Sequence, residues 1–225
     1  MKTALLFDLD GTLVDTDALH LIAFQSVLAK HDVALTKAQY VETIMGSSNA
    51  MIGAAFLPHL SAAEQESVIA AKEAAFRGML GKLKPVAGVT ALLDYADSHG
   101  IRCAVVTNAP RLNAAVVLAA LGLAGRLPMQ IIGPELARPK PDPMPYVTGL
   151  KKTGADAAHS VAFEDSLSGL RAAIGADLVV VGLTTTLDEA TLTRAGATIA
   201  VADYTDPRII ELIRQRMACT KHADP

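Results

Sequence analysis

The stretch Thr3-Ala4-Leu5-Leu6-Phe7-Asp8-Leu9-Asp10-Gly11-Thr12 decides how the rest of this 225-residue chain is read. Thr3–Phe7 is apolar at nearly every position, without the polar alternation of a half-exposed strand. Such runs suit parallel strands covered on both faces. The run ends on two aspartates, Asp8 and Asp10, ahead of Gly11. Acidic residues at a strand end either cap the next helix or stand at the rim of a sheet, where ligands bind. One junction alone does not separate these two readings.

Working outward, the same unit recurs: a short apolar run, a turn, then a helical pattern. The further strand candidates are Arg102–Val106, Met129–Ile132, Ser160–Phe163 and Leu178–Val181. The helices between them fall at Val89–His99, Leu112–Leu121, Pro143–Lys152, Leu167–Ile174 and Leu187–Ala195, with a last one around Arg208–Arg216. Alternation of this kind predicts right-handed crossovers and an α/β fold, a doubly wound parallel-sheet (Rossmann-like) core domain.

One segment breaks the rhythm, with only helical patterning from about Asp17 to Lys82. Leu19, Ile22, Ala23 and Val27 lie on one face of a helix. Ser61 and Glu64 form a capping-box pattern ahead of a helix to about Met79. Thr36–Met45 and Asn49–Phe56 read as shorter helices, and the apolar Met45, Met51 and Ile52 as part of this segment's own small core. The expected organisation is therefore a catalytic core, 1–16 and 83–225, interrupted by an inserted α-helical cap domain, 17–82.

Composition narrows the function. Apolar residues make up 51% of the chain, and 20 Lys and Arg stand against 23 Asp and Glu, a formal charge of −3. That is enough apolar material for a buried core, and without a basic excess or a charged run no nucleic-acid partner is expected. The longest apolar stretch, 114–125, is about a dozen residues, short of the roughly 20 a membrane span needs. Met1–Phe7 is too short for a signal peptide before Asp8. Cys103 in a buried strand and Cys219 in the polar tail do not make a disulfide scaffold. A cytoplasmic protein with no membrane association is expected.

The chemistry gathers at the strand ends. After the first strand comes Asp8-Leu9-Asp10-Gly11-Thr12; after the second, Thr107-Asn108; beyond the third, Arg138-Pro139-Lys140-Pro141-Asp142; after the fourth, Glu164-Asp165-Ser166. Four polar junctions in sequence bring carboxylates, a lysine and a hydroxyl to one rim, which helix capping alone does not account for.

Asp8-Leu9-Asp10-Gly11-Thr12-Leu13-Val14-Asp15-Thr16 resembles the first signature of the haloacid dehalogenase superfamily. Thr107, Lys140 and Glu164-Asp165 resemble its second, third and fourth. The helical insert and the Phe163-Glu164-Asp165-Ser166 block resemble the branch holding phosphoglycolate-type and sugar-phosphate phosphatases and β-phosphoglucomutase. The resemblance implies Asp8 as nucleophile, forming an aspartyl-phosphate, and Asp10 as general acid, then base. It implies Lys140 offsetting the charge of nucleophile and phosphate, and Thr107 with a backbone N–H near Asn108 holding the transferring oxygens. Pro110 would start the next helix, its positive end toward the anion.

Crowded carboxylates repel by about 1–4 kcal/mol per pair at about 4 Å, and Mg²⁺, a hard cation, resolves this. Its ligands by resemblance are Asp8, the carbonyl of Asp10, and Asp165, with Glu164 direct or through water. Superfamily members that cleave carbon–halogen bonds lack the second aspartate. Asp10 therefore favours a Mg²⁺-dependent phosphatase acting on a small phosphorylated metabolite.

A β-phosphoglucomutase-like isomerase and a non-catalytic phosphate-binding module are the alternatives. Asp15, Thr16 and His20 resemble the mutase hinge, and Lys72 stands where related caps carry a substrate-facing lysine. His20 would bond Asp15 or Lys72 and help time cap closure, or simply pack on the first cap helix. Against the mutase, Gly46-Ser47-Ser48-Asn49 carries Asn49 where its cap has an arginine, and Ala109 and Pro110 replace its serine and lysine. Losing charge-assisted contacts of about 1.5–3 kcal/mol each weakens capture of a bisphosphate. Asn108, His20, Asn49 and Lys72 are the substrate-binding candidates; Ser47, Ser48 and Arg77 read as polar residues that keep the cap surface soluble.

Overall fold

The computed structural model describes residues 2–45, 47, 49–81 and 83–218. Among these, six parallel strands form one sheet: β1 Ala4–Phe7, β2 Arg102–Thr107, β3 Gln130–Ile132, β4 Val161–Glu164, β5 Val179–Leu183 and β6 Ile199–Val201. Their order is β3-β2-β1-β4-β5-β6. The chain winds outward from β1 in both directions, so the crevice of the doubly wound sheet opens at the carboxyl ends of β1, β2 and β4.

Period-2 geometry explains why β1 is apolar throughout. Leu5 and Phe7 point to one face, against α5 (Val89–Ser98), α6 (Arg111–Ala120) and α10 (Pro207–Ala218). Ala4 and Leu6 point to the other, against α7 (Met144–Thr153), α8 (Leu167–Gly175) and α9 (Glu189–Arg194). Each fully buried Leu or Phe contributes on the order of 2 kcal/mol.

Among the described residues, the elements between β1 and α5 are helical: α1 Asp17–Leu28, α2 Lys37–Gln39 running into a π-helical turn Tyr40–Ile44, α3 Asn49–Phe56 and α4 Ala62–Met79. They surround a third core of Phe24, Val27, Leu28, Tyr40, Ile52 and Ile69 among others. The capping box of Ser61 and Glu64 forms as expected, and a second closes Thr36 and Gln39.

Several local expectations change. The buried stripe of α1 is Ala23, Phe24, Val27 and Leu28, while Ile22 is 50% exposed. That helix serves two partners, the cap core and, through Leu19, the sheet domain. Met51 points outward and is 63% exposed, whereas Ile52 is buried and Met45 packs beside it. Strand β6 is three residues long and is absent from the strands expected from sequence. Thr107 and Glu164 are the last residues of β2 and β4 rather than the first loop residues. Cys219, Gly46, Ser48 and Lys82 lie outside the described residues.

Candidate active site

Phe7 and Phe163 pair in register across β1 and β4, and their rings stack at 4.7 Å. The next residue on each strand is then forced alongside the other: Asp8 N–H donates to the Phe163 carbonyl at 3.0 Å, and Glu164 comes next on β4. Lys140 reaches over both from the loop before α7. Its Nζ lies 2.6 Å from Asp8 Oδ1 and 2.5 Å from Glu164 Oε1. Glu164, 0% exposed, also accepts from Tyr146 Oη at 2.6 Å and Ser166 Oγ at 3.3 Å. Gly169 in the first turn of α8 makes this possible, because a Cβ there would overlap the Glu164 carboxylate.

The Lys140 loop is itself held. Asn108 Nδ2 donates to the Lys140 carbonyl at 3.0 Å, and Lys140 N–H donates to Asn108 Oδ1 at 3.1 Å. The Asn108 carboxamide thus serves the loop. Beside it, Thr107 Oγ1 accepts from Ala109 N–H at 2.9 Å. Pro110 is the N-cap of α6 and provides no side-chain cap.

Asp165 completes the floor. Its Oδ1 accepts from Thr12 Oγ1 at 3.2 Å and its Oδ2 from Thr186 Oγ1 at 2.5 Å. Gly11 turns the chain at φ +78°, where a Cβ would strike the Asp165 carboxylate. Oxygens of Asp8, Glu164 and Asp165 all lie within 4.8 Å of one another, and all three residues are buried. Burial pushes the Asp8 carboxyl up to about 8, with Lys140 opposing and Glu164 reinforcing the rise. Burial likewise raises Asp165 well above the usual carboxylate range, helped by the charges of Asp8 and Glu164. Desolvation works against the Lys140 ammonium, yet Asp8 and Glu164 outweigh it and lift Lys140 to about 12. One ammonium among three crowded carboxylates leaves negative charge uncompensated. An all-oxygen, buried set of this kind fits a hard divalent cation.

Across the crevice the cap supplies a second network. Asp10 Oδ1 accepts from Thr16 Oγ1 at 2.6 Å and faces His20 Nε2 at 3.5 Å. His20 Nδ1 lies 3.0 Å from Lys72 Nζ. An ammonium can only donate, so Nδ1 accepts and the ring hydrogen sits on Nε2, toward Asp10. His20 stacks on Phe76, centroids 3.9 Å apart. Lys72, 3% exposed, also donates to Glu73 at 3.2 Å and sits 4.3 Å from the Phe24 ring centre. Burial lowers the Lys72 pKa, with Glu73 and Asp10 pulling it back. For Asp10 burial acts upward, but the bonds from His20 and Thr16 and the charge of Lys72 win, and its pKa falls.

Glu73 ties the cap down: it accepts from Asn113 Nδ2 of α6 at 2.6 Å and from Asn49 Nδ2 at 3.2 Å. Arg77 Nη1 donates to Asn113 Oδ1 at 2.7 Å. Asp17 meets Thr186 Oγ1 at 3.2 Å and the Tyr40 hydroxyl at 3.4 Å.

The structure thus brings Asp8, Asp10, Thr107, Asn108, Lys140 and Asp165 to one cavity of about 150 Å³, together with His20, Asn49 and Lys72 from the cap. Glu164 lies beneath it. Asp15 is exposed, and His20 turns to Lys72 and Asp10 instead.

Sequence reasoning missed Glu73, Asn113, Tyr146 and Thr186. Glu73 and Asn113 were detectable as polar residues on buried helical stripes, Glu73 between Ile69 and Phe76, Asn113 ahead of Val117. Thr186 ends a run of threonines directly after β5, and the polar junction at that strand would have revealed it. Tyr146 carries no sequence signal.

A haloacid dehalogenase-like hydrolase family model matches residues 5–183. The chain belongs to that family. A phosphoglycolate phosphatase from Xylella fastidiosa is 33% identical over 175 residues, 77% of this chain and 76% of that protein. A validoxylamine A 7'-phosphate phosphatase from Streptomyces hygroscopicus subsp. limoneus is 30% identical over 213 residues, 92% and 97% of the two chains. Among solved structures, a mutant of CbbY from Rhodobacter sphaeroides in complex with xylulose-(1,5)bisphosphate superposes with TM-score 0.78 at 29% identity, covering 92% of this chain and 96% of that one. Among the described residues no helix is long and apolar enough to cross a membrane.

Proposed function

We propose that this phosphoric monoester hydrolase is a Mg²⁺-dependent phosphatase that cleaves a small phosphorylated metabolite, a sugar phosphate or a phosphoglycolate-like ester, through an aspartyl-phosphate on Asp8. The observation that carries the reading is the setting of Asp8. Its Oδ1 is tied to Lys140 while its carboxylate stands among the buried oxygens of Glu164 and Asp165.

Asp8, Asp165 and the Asp10 carbonyl would hold the ion, with Glu164 beneath, direct or through water; bound there, it neutralises charge on the phosphoryl oxygens. The Asp8 oxygen not held by Lys140 attacks phosphorus, and the ester P–O bond breaks. The departing oxygen takes its proton from Asp10 Oδ2, since Oδ1 already accepts from Thr16. Water then attacks the phosphoaspartate and gives its proton to Asp10, freeing Asp8 and inorganic phosphate. His20 and Lys72 favour the ionised Asp10 that this second step needs. Thr107 and the backbone N–H groups before α6 would hold the transferring oxygens, and the helix end adds its positive potential. Residues 17–82 act as the cap and 1–16 with 83–225 as the catalytic core.

The test is phosphate release from a panel of phosphate monoesters, with and without Mg²⁺. Glucose 1-phosphate should yield inorganic phosphate. Conversion to glucose 6-phosphate without phosphate release would assign a mutase instead, and no reaction in any assay would leave a binding module.

A further inference from the structure

We infer that the ester's leaving group is an uncharged, polyhydroxylated molecule rather than one bearing a carboxylate or a second phosphate. This rests on the phosphatase reading and narrows its substrate class. The cavity lining carries the carboxylates of Asp8, Asp10, Asp17, Glu73 and Asp165 against the ammonium groups of Lys72 and Lys140. With a divalent cation in place and Asp10 carrying the proton it donates, these groups leave the walls no positive charge to spare before the phosphate arrives.

Neither ammonium is available to a distal anion. Lys140 is shared between Asp8 and Glu164. Lys72 is held by Glu73 and His20 over the Phe24 ring. Among the described residues no other Lys or Arg lines this cavity, and Gly46 and Ser48, which flank Ser47 in the sequence, are uncharged by type. Arg77 faces an adjoining cavity of about 580 Å³, past the Asn49–Glu73 hydrogen bond, and is itself bonded to Asn113.

What the walls do offer are acceptors. The carboxylates of Asp17 and Glu73 line the cavity, and the oxygen of Asn49, whose Nδ2 is given to Glu73, has no partner among the described residues. Ser168 Oγ is buried with no partner among the described residues. Hydroxyl groups donate to the Asp17, Glu73 and Asn49 oxygens, which cannot donate themselves, and pair either way with Ser168 Oγ, whereas a carboxylate or phosphate brings those oxygens only more acceptors. Phe24, Ile44 and Ile52 add an apolar patch suited to the C–H face of a ring.

The measurement is kcat/KM with Mg²⁺ for glucose 1-phosphate, glucose 6-phosphate, phosphoglycolate and fructose 1,6-bisphosphate, with p-nitrophenyl phosphate as a generic ester. The uncharged sugar esters should exceed both anionic ones by roughly tenfold or more. Equal or better turnover of phosphoglycolate or the bisphosphate overturns the inference and leaves the phosphatase reading standing. No phosphate from any ester, p-nitrophenyl phosphate included, overturns both. Asn49→Arg, which brings a cation to the cap wall, should narrow the sugar-to-anion ratio by about tenfold; an unchanged ratio counts against the inference.

Discussion

The two sides of the crevice are built differently, although both bury charge. On the sheet side, Asp8, Glu164 and Asp165 stand at the ends of neighbouring strands whose register is fixed by the backbone ladder. Lys140 is pinned there by Asn108 through two backbone contacts. On the cap side, Asp10 meets His20, which in turn meets Lys72, and Glu73 meets Asn113, across the junction of two separately packed cores. The first arrangement is preorganised: it exists because the sheet exists. The second exists only while cap and core are together, so it can report closure. Damage to the first should therefore appear in chemistry and stability, and damage to the second in substrate capture.

The sharpest way to break this contrast is Asp8→Asn. The carboxamide oxygen can still accept from Lys140, so circular dichroism and melting should stay near wild type. Phosphate release should fall by at least about 10⁴-fold, since a covalent nucleophile is removed. Retained turnover would refute the assignment. Next in size is Lys140→Met, which strips the countercharge from two buried carboxylates. Breaking a buried pair in this way costs on the order of 3–5 kcal/mol of stability, readable in urea titrations, and turnover should fall by about 10²-fold or more.

On the cap side, Asn113→Ala removes the bonds to Glu73 and Arg77 while leaving every residue assigned to the chemistry in place. Its expected signature is a roughly tenfold loss in kcat/KM carried mainly by KM, beside the fall in melting temperature that follows from deleting hydrogen bonds to two charged groups. A variant that loses stability but keeps KM would erase the distinction between the two sides.

The same contrast explains what the sequence disclosed. Strand ends were legible because apolar runs stop abruptly, and Asp8, Thr107 and Glu164-Asp165 sit where they stop. Lys140 was legible from its prolines and its place in the order of junctions. The short strand β6 was not, since Ile199 and Val201 stand among alanines, which carry no strand preference. The cap network was half legible: His20 and Lys72 were found, while the Glu73–Asn113 contact joins residues 40 positions apart on two helices. Helical periodicity says which face is buried and nothing of which face it meets. The exposure of Ile22 and Met51 has the same cause, because each lies at the boundary of a stripe whose width only packing decides.

The smallest effect tests the sheet side most cleanly. Tyr146 does not line the cavity; its hydroxyl donates to Glu164 Oε1, the oxygen that also meets Lys140. Tyr146→Phe keeps the ring and its packing and deletes one donor to a fully buried carboxylate. A hydrogen bond to a charged group contributes about 1.5–3 kcal/mol, and in a chain of this size that corresponds to a fall in Tm of roughly 3–10 °C. Lys140 and Ser166 still donate to Glu164, so turnover should drop only a few-fold, with KM unchanged. Asn113→Ala and Tyr146→Phe each remove hydrogen bonds to a buried glutamate and should each lower Tm, yet only the first should move KM. If both moved KM, or neither did, the two sides of the crevice would be one mechanical unit, and the cap could not gate the site independently of the sheet.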